Sequence, residues 1–273
     1  MSSNTIILPD LTNARLSVVY SALDSRSTTN VLHSHIHNEC EIYINLSGDV
    51  SFIVENRIYP ISPGSIIITR PGEYHHCVYH SDAIHRHFWI LFSADRMETL
   101  FSRFYNRAAG EGNLLTVTGS VFKKLTELCD AMREENGGDE LYYRFFKLIH
   151  LLNQADVSLP QASEGGSVTE RSLDFIRKNM TESISVKDIA EACYVSISTL
   201  ERCFYLTLRI SPSEYMRKIR LAKAAELLQN GASVTYACHQ SGFVDCSKFI
   251  QLFKKYYGKT PLQWKKLYCQ PKS

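Results

Sequence analysis

The chain has 273 residues, enough for two domains with separate cores, and its 44% hydrophobic and 21% charged residues are the proportions of a soluble globular protein. Met1-Ser2-Ser3-Asn4-Thr5 lacks the basic and apolar stretches of a secretory signal, and no apolar run approaches the ~20 residues that cross a bilayer, so a cytoplasmic protein with no membrane partner is expected. The net charge of +2 conceals a split: residues 167–273 hold 17 Lys and Arg against 9 Asp and Glu, a net of +8 suited to a polyanion, whereas the remainder holds 13 against 19, a net of −6.

Residues from about 16 to 95 read as strands. Glu41-Ile42-Tyr43-Ile44-Asn45-Leu46 and Val50-Ser51-Phe52-Ile53-Val54 alternate, while 65–69 and His87-Phe88-Trp89-Ile90-Leu91-Phe92 are short apolar runs. Turn signals at Ser47-Gly48-Asp49, Ser62-Pro63-Gly64 and Arg70-Pro71-Gly72-Glu73 separate them, which points to an all-β barrel or sandwich. Tyr43, Arg70, Tyr74 and Trp89 could stack on or hydrogen-bond a sugar, or serve as barrel packing, the reading preferred for Trp89.

A helical period follows. Val121, Leu125, Leu128 and Met132 form one apolar face, and Leu141, Phe145, Leu148, Ile149 and Leu152 another, with Asn136-Gly137-Gly138-Asp139 between them. Such a hairpin packs on the barrel, or leaves part of a face for a second subunit. Residues 156–167, with Leu159-Pro160 and Ser163-Glu164-Gly165-Gly166-Ser167, carry no periodic face and read as a linker between a domain at 1–155 and one at 168–273. The eight cysteines are scattered with no CxxC pair, so no disulfide framework is expected.

The last hundred residues contain one supersecondary unit twice. Val186-Lys187-Asp188-Ile189-Ala190, a turn at Tyr194-Val195-Ser196 and Leu200-Glu201-Arg202-Cys203-Phe204 correspond to Val234-Thr235-Tyr236-Ala237-Cys238, a turn at Gly242-Phe243 and Phe249-Ile250-Gln251-Leu252-Phe253. The offset is 48 before the turn and 49 after it, so the second copy has one extra turn residue. Capping boxes are expected at Ser211/Glu214 and Thr260/Gln263, with Ser185 starting a helix in a similar arrangement. Gly231 and Gly258 should stop helices, and 212–230 should form one long helix buried through Met216, Ile219, Leu221, Ala224, Leu227 and Leu228. If Leu200, Phe204, Phe249 and Phe253 face inward, the outward residues are Ser198, Thr199, Glu201 and Arg202, then Cys246, Ser247, Lys248 and Gln251. Arg202 could bond guanine, Gln251 adenine and Glu201 cytosine, although one such face alone could be plain solvated surface.

Over residues 168–268 the pattern resembles the DNA-binding domain of AraC/XylS transcription regulators: Ile-Ala, Leu-x-Arg-x-Phe and Ser-Pro, then Gly-Phe, Leu-Phe-Lys-Lys-Tyr-Tyr-Gly and Thr-Pro. The resemblance implies an α+β two-domain protein whose C-terminal domain is an all-α seven-helix double helix-turn-helix, with the exposed residues above contacting bases in double-stranded DNA. Arg209 stands where the family usually has Gly, so a left-handed backbone there would be strained and the first unit could end differently. Ala237-Cys238 is also smaller than the usual Ile-Ala. His35-x-His37-x3-Glu41-x6-Gly48 and Gly64-x6-Pro71-Gly72-x2-His75 resemble the two cupin motifs, which implies an N-terminal cupin barrel sensing an effector through His35, His37, Glu41, Tyr43, Arg70 and His75. In metal-binding cupins the matching His35, His37, Glu41 and His75 ligate one ion, so the resemblance implies a divalent transition metal as a candidate cofactor; alternate strand residues share a face, and imidazole with carboxylate suits Zn, Fe, Mn or Ni. His33 and His76 are substitute ligands or surface residues, and many such regulators keep His-x-His without metal. The expected protein is a ligand-responsive transcription regulator, a homodimer through the 120–155 helices, with RNA polymerase a further partner. The alternatives are a metal-dependent cupin enzyme tethered to DNA and an effector-independent DNA-binding protein.

Overall fold

The computed structural model describes residues 16–24, 37, 39–81, 83–93, 100–135, 138–157 and 167–269. They fall into two compact units, one ending at Val157 and one beginning at Ser167. Among them no helix is long and apolar enough to cross a membrane.

The first unit is built on nine strands: β1 (Leu16–Asp24), β2 (Cys40–Ser47), β3 (Val50–Val54), β4 (Arg57–Ile61), β5 (Ile66–Thr69), β6 (His75–Tyr79), β7 (Ile84–Phe92), β8 (Leu114–Thr116) and β9 (Asp156–Val157). One antiparallel sheet runs β1-β7-β2-β5-β8-β9 and a second runs β4-β3-β6. Pro60 sits in β4, an edge strand, where its missing N–H breaks no ladder. Period-two alternation divides β2 between two cores. Cys40, Ile42 and Ile44 pack with Ile66, Ile68, Phe88 and Ile90 against three helices: α1 (Ser102–Tyr105), α2 (Gly119–Glu134) and α3 (Asp139–Asn153). Tyr43 faces the other way and joins Phe52, Val54, Tyr59 and Ile67 between the sheets. The helical-hairpin faces expected from sequence are buried in the first of these cores, through Leu125, Cys129 and Met132 of α2 and Leu141, Phe145, Leu148, Ile149 and Leu152 of α3. Asp156 and Val157, expected in the linker, instead pair with Thr116 and Leu115, so the first unit takes two residues more.

A buried ion pair ties the loop after α1 to the sheets. Glu73, 1% exposed, takes both guanidinium nitrogens of Arg107 at 2.6 Å and the backbone N–H groups of Gly110 and Arg70 at 3.0 Å each. Burial alone would raise the Glu73 carboxyl, but the Arg107 bonds and charge and the two N–H donors outweigh it and hold the pKa below its ordinary value.

The second unit holds seven helices: α4 (Val168–Lys178), α5 (Val186–Ala192), α6 (Ile197–Leu208), α7 (Pro212–Gln229), α8 (Val234–Gln240), α9 (Cys246–Tyr257) and α10 (Pro261–Tyr268). The duplication extends to individual hydrogen bonds. Tyr194 N–H donates to Glu191 and Val195 N–H to Ala190, and 48 residues on Gly242 N–H donates to His239 and Phe243 N–H to Cys238. Reciprocal capping boxes form at Ser185/Asp188 and Thr260/Gln263, and also at Ser167/Glu170. Only half of the expected box forms at Ser211: its hydroxyl accepts from Glu214 N–H, but the Glu214 carboxylate turns to the buried Lys218 amine at 3.3 Å. Gly258 ends α9 in the left-handed region, and its counterpart Arg209 ends α6 there too, at φ 57°. The first helix-turn-helix copy therefore keeps the family's ending despite the Cβ, and the Arg209 guanidinium lies 5.7 Å over the Tyr205 ring.

Two stability outcomes follow. Because the folded Glu73 pKa lies below the unfolded one, the pair stabilises the first unit above about pH 4 and loses that contribution as pH falls toward the folded value. Arg107→Ala should destabilise by about 3–5 kcal/mol at neutral pH, and the gap from the parent in chemical denaturation should narrow in acid. Arg209→Gly should relieve about 1 kcal/mol of backbone strain and raise the melting temperature of the second unit; an unchanged or lower value would show that stacking on Tyr205 outweighs the strain.

Candidate DNA-reading faces and ligand site

Each reading face follows from what its helix must bury. In α6 Leu200, Phe204 and Leu208 are buried, which turns Ser198, Glu201 and Arg202 to solvent. In α9 Phe249 and Phe253 are buried, and Ser247, Lys248 and Gln251 are exposed. Thr199 is half-buried with its hydroxyl 2.9 Å from the Ser196 cap, and Cys246 is half-buried with its sulfur 2.7 Å from Cys238. Sequence reading missed the exposed aromatics Tyr194, 94% accessible, and Tyr205, 61% accessible. Both lie at helical or turn positions where apolar character alone suggests core.

The two units differ where their turns meet neighbours. Tyr194 and Gly242 are equivalent left-handed positions. A Cβ on Gly242 would collide with the Met180 carbonyl and the Arg220 side chain. Arg220 of α7 donates in turn to the carbonyls of Met180 at 2.9 Å and Glu182 at 2.6 Å, locking the α4–α5 loop to α7.

In the first unit, three of the predicted residues converge. His37 Nε2 and His75 Nε2 each lie 3.2 Å from Glu41 Oε2. His37 Nδ1 lies 2.9 Å from the Glu39 carbonyl and His75 Nδ1 2.8 Å from the Glu73 carbonyl, so each Nδ1 must carry the proton. Each Nε2 then either donates a proton to the Glu41 carboxylate or offers its lone pair to a cation shared with it. The carbonyls orient the rings as outer partners orient metal-bound histidines. The donor set fits a divalent ion. His35 and His33 lie outside the described residues.

Beyond Glu41 the interior is aromatic and polar. Tyr43 stacks on His87 at 4.8 Å between ring centroids, and Trp89 sits edge-on to His87 at 4.7 Å. Cys77 and Tyr79 of β6 face them, and Tyr79 contacts the His85 ring at 4.6 Å. Both ring nitrogens of His87, the Trp89 indole N–H and the Asn45 amide oxygen are buried without a hydrogen-bond partner. Desolvation pushes the His87 pKa down to about 4, against the opposing charge of Glu41, so the ring is neutral at ordinary pH. Trp89, expected as packing, presents a polar edge here. His85 and His87 escaped sequence reading because 87–92 reads as an apolar run; the usable signal was the alternation His85-x-His87-x-Trp89, which places all three on one face of β7. Arg70 is placed differently from the rest of the predicted set: its guanidinium donates to the carbonyls of Tyr105 and Arg107. The hydroxyl-bearing ring of Tyr74 contacts His76 at 5.7 Å.

A β interior with buried polar edges, followed by paired helix-turn-helix units, defines a ligand-linked transcription regulator. Residues 18–143 match the AraC-like ligand binding domain and residues 189–267 match a helix-turn-helix domain family. The chain belongs to the AraC family of transcription regulators, with one ligand-binding and one DNA-binding domain. It is 26% identical over 189 residues to the Msm operon regulatory protein of Streptococcus mutans, a match spanning 65% of this chain and 66% of that one. It is 24% identical over 259 residues to the HTH-type transcriptional activator RhaS of Escherichia coli, spanning 88% of this chain and 90% of that one. Among solved structures, ToxT from Vibrio cholerae overlays 94% of this chain and 99% of its own at 18% identity and a TM-score of 0.40.

Base reading by these faces predicts a specific outcome. Arg202→Ala and Gln251→Ala should each weaken operator binding by about 1–3 kcal/mol and relax preference at one base pair, measured by competition binding at fixed salt. Equal weakening on every sequence would instead make these residues phosphate contacts.

Proposed function

We propose that the first unit senses a small polar effector, a sugar or related polyhydroxyl metabolite, in the interior around His87, and that the second reads DNA through Ser198, Thr199, Glu201, Arg202, Cys246, Ser247, Lys248 and Gln251. The buried, unpartnered edges of His87, Trp89 and Asn45 carry this reading. Each such group costs roughly 1–3 kcal/mol when left unsatisfied, and a ligand bearing several hydroxyls supplies donors and acceptors while its apolar face stacks on Trp89. Neutral His87 can donate from one nitrogen and accept at the other, which suits a hydroxyl.

A divalent ion would be held by His37, Glu41, His75 and, on sequence grounds, His35, where it would supply a Lewis-acid contact to an effector oxygen. The domain boundaries are those of the sequence reading, 1–155 and 168–273 about a linker at 156–167, with Asp156 and Val157 drawn into the sheet. The protein acts as a cytoplasmic regulator and not as an enzyme; that its relatives are transcription regulators supports this. It works as a homodimer through α2 and α3, whose outer side keeps Tyr143 62% exposed, and it recruits RNA polymerase when bound at a promoter. The effector changes DNA occupancy only by favouring one of two states, and DNA must alter effector affinity by the same factor.

Thermal unfolding of the full chain against a panel of sugars, sugar acids and unrelated metabolites tests the sensor. A true effector at 100 times its Kd should stabilise the first unit by about 2.7 kcal/mol. His87→Ala should abolish that shift. A hit that still stabilises the His87→Ala protein equally would place the site elsewhere.

A further inference from the structure

A second cluster of metal-ligating side chains lies in the DNA-binding unit. The Cys246 sulfur, on the first residue of α9, is 2.7 Å from the Cys238 sulfur and 3.9 Å from His239 Nε2, and the three ligand atoms lie within 4.8 Å of one another. Cys238 is fully buried, Cys246 is half-buried and His239 is exposed, so the cluster opens to solvent on one side. Two thiols and an imidazole form a borderline-soft donor set suited to Zn²⁺, and the open side leaves the fourth position to a water.

Duplication supplies an internal control. At the equivalent positions of the first helix-turn-helix copy stand Ala190, Glu191 and Ile197, none of them a sulfur or imidazole ligand. Ala190 is buried in its turn as Cys238 is, and the same backbone bonds form around both. The helix-turn-helix therefore folds without these three side chains. Their convergence in one copy is not a requirement of the fold.

We propose that Cys238, His239 and Cys246 bind one Zn²⁺-class ion, pinning the start of α9 to α8. With zinc–sulfur bonds of about 2.3 Å, two sulfurs on a tetrahedral ion stand roughly 3.7 Å apart, so Cys246, the half-exposed partner, must swing outward by about 1 Å. The His239 separation already has the span that two ligands keep on one ion. Binding displaces the thiol protons and fixes the side chain of Cys246, one of the residues placed on the DNA-reading face. The ion would thus set the orientation of the first turn of α9, next to Ser247 and Lys248.

Co²⁺ titration of the reduced, full-length protein tests this, because a thiolate-to-cobalt charge-transfer band in the near ultraviolet reports sulfur ligation and is silent for the His37, Glu41 and His75 set. The expected result is such a band saturating at one equivalent, reversed by Zn²⁺, lost in Cys246→Ser and unaffected by His37→Ala. His239→Ala, at an exposed position that cannot compromise folding, should weaken metal affinity on the order of tenfold or more. Absence of the band, its persistence in Cys246→Ser, or unchanged affinity in His239→Ala would overturn the proposal. Conversion of the pair to a disulfide in the presence of saturating metal would overturn it as well.

Discussion

Strand β2 is buried on both faces, and the sensor depends on that constraint. Side chains of a strand alternate, so one run of residues must serve two environments at once. Cys40, Ile42 and Ile44 meet the helices, where close packing of apolar atoms is all that is required. Glu41, Tyr43 and Asn45 meet the second sheet, and all three bring polar atoms that water cannot reach. The same division runs through β7, where Phe88, Ile90 and Phe92 join the helical core while His87 and Trp89 turn inward. The helices thus do more than cover the sheet. They satisfy its apolar face completely and free the opposite face to be polar, a composition that would otherwise be costly in a core. A site built to hydrogen-bond a ligand rejects analogues that lack the matching groups, because its own edges then stay unpaired.

The DNA-binding unit rests on a different economy of form. Helices α5 and α8 have seven residues each, too short to persist alone, and exist because each turn holds its helix against a neighbour. The turn needs one left-handed residue. Where the surroundings are open, as at Tyr194, a side chain is tolerated with some strain; where the Met180 carbonyl approaches, as at Gly242, none fits. The same divergence recurs at the helix ends, with Arg209 opposite Gly258. Two copies of one unit have kept their backbone bonds and exchanged side chains according to local crowding.

Much of this could be read from the chain because periodicity reports burial. The 3.6-residue stripes located α2, α3 and the long α7, and repeat arithmetic located α6 and α9 together with their exposed residues. Strands β1, β4, β6, β8 and β9 were not singled out: the last four are two to five residues long, and β4 contains Pro60 while β6 begins with two histidines. Hydropathy records what a side chain is and not which way it points, so His87 passed as part of an apolar run. Partner choice was the least legible property. Glu214 could cap its helix or pair with Lys218, and Arg70 could face a ligand or a carbonyl. Only three-dimensional proximity separates such options, as it does for Glu73 and Arg107, 34 residues apart.

The charge of the second unit, +8 over residues 167–273, cannot by itself choose an operator, since attraction to phosphates is the same on every sequence. Choice must come from groups whose interaction with DNA depends on the base. On the proposed reading Glu201 would be the most telling of them. A carboxylate exposed on a helix placed in the groove would be repelled by the phosphates on either side and would recover that loss only where a base amino group donates to it. Such an acid would discriminate chiefly by penalising the wrong sequence, while Arg202 on the next position would gain on the right one. The basic surface would then bring the unit to any duplex, and the paired opposite charges on α6 would decide where it stays.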